Sequence, residues 1–178
     1  PSTMLKVTSP MTDAPAKVQD LERKGAGAVV LKSIFEEEIN REYDKLMREE
    51  SRPTGWEIGD VLDMELRGER LGEYMTLVIE SKKRVAIPVI ASINCTYSYQ
   101  WVQFAKQLET AGADALELNM SFLPTNLKRT SAETERLYLE VARRVVGEIS
   151  IPVALKISHY FTSLARMIQD LANTGVAG

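Results

Sequence analysis

Two lysines in this chain each stand at the end of an apolar run: Lys156 closes Ile151-Pro152-Val153-Ala154-Leu155, and Lys32 closes Ala28-Val29-Val30-Leu31. A desolvated amine in such a place forms a Schiff base with a carbonyl, whereas one that stays charged holds an anionic or electron-rich group. Asn119 ends a third run, Ala115-Leu116-Glu117-Leu118, and offers a donor and an acceptor to a carboxylate or planar heterocycle. Asn94 and Cys95 end a fourth, Ala91-Ser92-Ile93. The Cys95 thiol reads either as a nucleophile or proton carrier, or as a small buried apolar side chain. His159, the sole histidine, follows Lys156 by three residues and suits acid–base work near neutral pH. Each site also has a structural reading: lysines snorkel to solvent and asparagines cap turns. Nothing in the sequence resembles a zinc set, a Walker loop or a serine triad.

Polar groups at the ends of short apolar runs are what a parallel α/β barrel requires, because its chemistry lies at the C-terminal ends of its strands. The sequence supplies the matching elements. Leu21-x-x-x-Gly25-Ala26, Leu108-x-x-x-Gly112-Ala113 and Leu171-x-x-x-Gly175-Val176 each end a helix-like segment, with glycine suited to a left-handed C-terminal turn. Ile87-Pro88-Val89 recurs 64 residues later as Ile151-Pro152-Val153, with proline where the first strand position loses no ladder bond. That period is two strand–helix units of about 32 residues, the size expected of a (β/α)8 TIM barrel. Strands are expected near 2–8, 27–31, 88–93, 114–118 and 152–156, and helices near 13–24, 68–85, 98–110, 131–147 and 161–173. Thr12-Asp13 and Thr130-Ser131 read as N-caps, the latter with Glu133 and Glu135 in the first turn.

The expectation is one partial barrel domain over 1–178, the first five strand–helix units of a TIM barrel truncated at both ends. Residues 33–67 interrupt the rhythm as an extended loop and helical insertion after the second strand, placed as a lid or oligomer contact. The aromatic group Tyr97, Tyr99, Trp101 and Phe104 is expected to pack the third helix.

Of the 178 residues, 44% are apolar, enough for one domain with a real core. The net charge of −3 comes from dispersed charges, so nucleic acid is not implied as a partner. One cysteine excludes an internal disulfide and any cysteine-only cluster, which favours a reducing compartment and a cytoplasmic location. No apolar stretch approaches the ~18 residues of a membrane span.

Three motifs in order carry a family resemblance. Val153-Ala154-Leu155-Lys156-Ile157-Ser158-His159-Tyr160-Phe161, Leu116-Glu117-Leu118-Asn119-Met120-Ser121 and Val30-Leu31-Lys32-Ser33 resemble strand motifs of the dihydroorotate dehydrogenases. Residues 25–37 and 90–95 resemble stretches of the dihydroorotate dehydrogenase-like proteins. The resemblance implies an FMN-dependent oxidoreductase of pyrimidine biosynthesis type, moving a hydride to or from a small planar or carboxylated substrate. It implies Lys156 at the flavin's pyrimidine edge, Lys32 and Ser33 on the flavin with Lys32 also on substrate, and Asn94 beside them. Asn119 would contact flavin or substrate, and Ser9 the ring through its backbone. A homodimer is implied, with a separate electron-acceptor protein if clusters carry the electrons away.

The motif departs from the family where the catalytic base stands: Asn119-Met120-Ser121 runs into Phe122-Leu123-Pro124-Thr125, so Ser121, Cys95 or His159 would have to substitute. Dihydroorotate itself is disfavoured as substrate. The family's phosphate-binding loops lie after strands that this sequence does not include, so weak FMN binding by the chain is expected. Two other readings remain open: a Schiff-base lyase or aldolase barrel using Lys156 or Lys32, and a non-catalytic barrel acting as an assembly partner.

Overall fold

The computed structural model describes residues 11–35, 56–94, 98–120 and 129–178, with the side chains of 35, 56–69 and 98–100 excepted. In chain order these form α1 (Pro15–Arg23), β1 (Val29–Val30), β2 (Ile34–Phe35), α2 (Trp56–Arg84), β3 (Val89–Asn94), α3 (Ser98–Thr110), β4 (Ala115–Met120), α4 (Ser131–Val146), β5 (Val153–Ile157) and α5 (Leu164–Ala172). Every strand pairing is parallel, in the order β1-β3-β4-β5, with β2 also pairing β3. Beyond α5 the chain lies along the free edge of β5, where Ala177 N–H donates to Val153 C=O (2.7 Å) and Leu155 N–H to Gly178 C=O (2.8 Å). The result is part of a TIM barrel: a curled parallel sheet with helices on one face.

The helices bury one stripe each. Leu71, Tyr74, Val78 and Ser81 line α2, Trp101, Phe104, Ala105 and Leu108 line α3, and Tyr138, Val141, Ala142 and Val145 line α4, all at helical spacing. They meet the outward residues of the strands, Val89, Ala91 and Ile93 from β3 and Leu116, Leu118 and Met120 from β4, in one core. Trp101 and Phe104 belong to that core, as expected of the third helix.

The Leu-x-x-x-Gly pattern is a helix-ending device. Gly25, Gly112 and Gly175 have φ of +93°, +91° and +93°, a region that costs a side-chain-bearing residue about 1–2 kcal/mol. At the first two, Ala26 N–H reaches back to Leu21 C=O (3.0 Å) and Ala113 N–H to Leu108 C=O (3.2 Å). Gly25 and Gly112 N–H reach Glu22 and Glu109 C=O. These paired bonds are a Schellman motif, which satisfies the last helical carbonyls and turns the chain into the next strand.

The glutamate after each leucine adds a second fastening. Glu22 Oε1 accepts from Ala86 and Ile87 N–H (2.7 and 3.2 Å). Glu109 Oε1 accepts from Ser150 N–H and Oγ–H (2.6 Å each) and from Ile151 N–H (3.2 Å). Each carboxylate thus holds the turn that enters an Ile-Pro-Val strand. Asp114 does related work, accepting from Val89 N–H (2.7 Å) while paired with Lys82 (2.7 Å).

Two local expectations change. The expected Thr130 cap is present as a full capping box with Glu133, but α1 begins at Pro15 behind Ala14, without a side-chain cap. Proline's fixed φ starts that helix, and Asp13 instead pairs with Lys17 at 2.7 Å. Helix α2 begins at Trp56 rather than 68. The expected strand at 2–8 and residues 36–55 of the insertion lie outside the described residues.

Candidate active site

Side chains alternate along each strand, and paired residues of a parallel ladder point the same way. Leu116, Leu118 and Met120 face the helices, so Glu117 and Asn119 face the barrel interior. The register then builds two rows. The upper one runs Asn94, Asn119, Lys156, because Ile93 pairs with Leu118 and Asn119 with Lys156. Below it, Ser92 pairs with Glu117 and Glu117 with Ala154.

The upper row lies at the C-terminal strand ends. Asn94 Nδ2 donates to Asn119 C=O (2.7 Å), tying β3 to β4 beside the lysine. Asn119 is buried and has partners of its own. Lys156 is half-buried, and its ammonium has no hydrogen-bond or ion-pair partner among the described residues. Ala154 stands one side-chain layer beneath it, small enough to leave room for the lysine stem. Two residues beyond Lys156, Ser158 Oγ is buried with no hydrogen-bond partner among the described residues.

The lower row is a polar network that the sequence does not announce. Glu117, only 3% exposed, accepts from Ser92 Oγ–H at 3.0 Å. Ser33 Oγ lies 2.6 Å from Ser92 Oγ. Ser92 spends its one proton on the carboxylate, so Ser33 is the donor in that second bond. Beneath them Tyr74, on α2, accepts from Ser92 N–H (2.9 Å) and donates to Ser92 C=O (3.1 Å). Burial, reinforced by the Glu117 charge, pushes the Tyr74 phenol far above its ordinary pKa, while its bond to Ser92 opposes the rise. It therefore stays neutral and keeps both roles.

A register change explains why a side chain takes that N–H. Val30 pairs with Ile90 and Ile34 with Ile93, four steps along β1 and β2 against three along β3. The extra residue is a bulge of the kind that re-aims side chains next to active sites. Leu31 N–H still donates to Ile90 C=O (2.9 Å), so the Ser92 N–H, two residues on, points to the same edge and meets Tyr74 where the ladder is broken. The bulge turns Ser33 inward and leaves Lys32 exposed. Lys32 also helps lower the Asp13 carboxyl, whose main cause of lowering is the hydrogen bond from Lys17.

Of the residues singled out from sequence, Lys156, Asn119 and Asn94 thus share one row, and Ser33 joins the layer below. Lys32 points away. His159 is exposed, its ring against Tyr160 at 4.3 Å, while Phe161 anchors the same loop edge-on to Tyr138 at 5.1 Å. Ser9, Cys95 and Ser121 lie outside the described residues. Glu117, Ser92 and Tyr74 were not anticipated. The one sequence signal was a glutamate between two leucines in β4.

No protein-family model matches the sequence. Solved structures share its fold. A dihydrodipicolinate synthase from Agrobacterium tumefaciens str. C58 aligns with a TM-score of 0.57 at 17% identity, covering 93% of this chain and 46% of that one. A 2,3-dimethylmalate lyase of the PEP mutase/isocitrate lyase superfamily aligns at 0.58 and 11%, covering 99% and 57%. YagE from E. coli K12, of the dihydrodipicolinic acid synthase family and solved in complex with pyruvate, aligns at 0.53 and 16%, covering 98% and 49%. The chain spans about half the length of these proteins, and at such identities the likeness establishes the barrel fold.

These neighbours correct the family expected from the strand motifs. They are synthases and lyases of other TIM-barrel families, not dihydroorotate dehydrogenases, so the flavin dehydrogenase reading, its FMN and its place in pyrimidine biosynthesis are withdrawn. The cause lies in the fold. An apolar run ending in Lys or Asn is what many barrels need at the mouth, so short strand-end motifs report the architecture before they report a family. A phosphonopyruvate hydrolase complexed with oxalate and Mg++ also shares the fold, with a TM-score of 0.58 at 12% identity. Among the described residues no three acidic, His or Cys side chains gather to hold a metal. Among the described residues no helix is long and apolar enough to cross a membrane.

Proposed function

We propose that the protein is a Schiff-base lyase or aldolase acting on a small 2-oxo acid, with Lys156 as the nucleophile. The observation that carries this reading is the position of Lys156: at the C-terminal end of β5, half-buried, in register with Asn119, and without a partner among the described residues. Lys32, the other candidate, is exposed on the bulge. Fold neighbours of the dihydrodipicolinate synthase family, one solved with pyruvate, support the same substrate class.

In this reading the Lys156 amine adds to the C2 carbonyl of the oxo acid, and loss of water leaves an iminium. As the C4 hydroxyl loses its proton to solvent, the C3–C4 bond breaks: its electron pair passes into the iminium to give an enamine, C4 leaves as an aldehyde, and protonation at C3 and hydrolysis return the shortened oxo acid and free lysine. Asn119 supplies a donor beside the reacting carbon, and the unsatisfied Ser158 hydroxyl offers a donor to the carboxylate.

Borohydride reduction in the presence of pyruvate tests the proposal by intact mass. The protein is expected to gain one reduced pyruvate adduct, and Lys156→Ala to gain none. Absence of an adduct in the unaltered protein would sink it.

A further inference from the structure

The lower row carries an inference about which oxo acid fits, and its oxo-acid end rests on the function proposed above. We propose that the Glu117–Ser92–Ser33 chain fixes the hydrogen-bond polarity of the site, holding Ser33 as an acceptor that selects 2-oxo acids bearing a hydroxyl on their carbon chain.

Ser92 donates to the Glu117 carboxylate at 3.0 Å, so the Ser33 proton is committed to Ser92 at 2.6 Å. A serine hydroxyl has one proton and two lone pairs. With its proton committed, Ser33 presents only lone pairs, and among the described residues no other donor reaches its Oγ. Tyr74 keeps the pivot from turning by gripping both backbone groups of Ser92. The remaining lone pairs of Ser33 can be met only by a group that brings a donor; a ligand hydroxyl does so, whereas an ether oxygen in its place sets two acceptors against each other.

The span is suitable. Ser33 lies on the strand edge paired with β3, and Lys156 on β5 beyond β4. Three inter-strand steps, about 14 Å across the sheet before the barrel's curvature shortens it, and one side-chain layer of about 7 Å along the strands separate them. A lysine stem and an acid of four or five carbons cover that together. The site would then read an oxo acid at both ends: the carbonyl by the amine, the distal hydroxyl by Ser33.

Calorimetric titration with 4-hydroxy-2-oxobutanoate and its 4-methoxy counterpart tests the proposal through the ratio of their Kd values, which is insensitive to a partly unfolded sample. The hydroxy acid is expected to bind about tenfold more tightly. Ser92→Ala frees the Ser33 proton for the ligand, and the ratio should fall to about one; Ser92→Thr, which keeps the hydroxyl, should restore it. Ser33→Ala should also abolish it. A ratio unchanged in Ser92→Ala and Ser33→Ala, as simple crowding of the methoxy group would give, overturns the proposal, as does a ratio near one in the unaltered protein. The Lys156→Ala protein separates the two readings. If it keeps the hydroxyl preference while no pyruvate adduct is trapped on the unaltered protein, the polarity chain stands and the imine falls; an adduct without a preference gives the converse.

Discussion

At the N-terminal ends of β3 and β5, carboxylates are consumed by the backbone: Glu22 and Glu109 each accept two successive N–H groups, and Asp114 accepts the Val89 N–H. At the opposite ends of those strands, Asn94 bridges to β4 and Lys156 extends from β5 with no partner among the described residues. The difference separates two uses of polarity in one sheet. The closed end repeats one fastening, in which the glutamate of a Leu-Glu-x-x-Gly helix end holds the turn into an Ile-Pro-Val strand. The open end repeats a position but not a role: Asn94 bridges two strands, while Asn119 and Lys156 stand side by side, as befits a site assembled from groups on successive strands.

Removing the packing beneath the fastening should have the largest effect on stability. Leu108, fully buried and at the first carbonyl of its Schellman turn, should cost about 2–5 kcal/mol as Leu108→Ala in denaturant unfolding. Tyr74→Phe lies between the two ends. It strands a buried Ser92 N–H and should cost about 1–3 kcal/mol, and it should also weaken the hydroxyl preference, which a purely structural tyrosine would leave alone. Glu109→Gln should be mildest, about 1 kcal/mol, with no change in adduct formation.

Glu109 also sharpens the contrast through pH. Its bonds from the Ser150 hydroxyl, then from the Ser150 and Ile151 N–H groups, hold its carboxyl below the ordinary range. A carboxyl lowered on folding contributes stability that is fully present above its unfolded pKa and lost as pH falls through the folded one. Unfolding midpoints followed downward from neutral pH should therefore decline less steeply in Glu109→Gln than in the unaltered protein. An identical acid limb would show that the clamp contributes nothing.

The closed end was legible from sequence because its devices are local. A left-handed glycine four residues after a buried leucine, and a proline at a strand foot, leave a fixed spacing. So did the elements themselves: β3, β4 and β5 and the bounds of α3 and α4 fall within about two residues of expectation. The open end was legible only in part. Lys156 and Asn119 ended visible apolar runs, but their being side by side is a property of register. The bulge that turns Ser33 in and Lys32 out depends on how β1 and β2 meet β3, and Tyr74 enters from a helix some eighteen residues away. The family assignment failed for a related reason, since the motifs behind it describe strand ends.

The central claim is that the open end acts through Lys156, and peptide mapping of the protein reduced with borohydride in pyruvate tests it most directly. The account predicts a secondary-amine adduct on the peptide carrying Lys156 and an unmodified Lys32. An adduct on Lys32, or label scattered over the surface lysines, would contradict it.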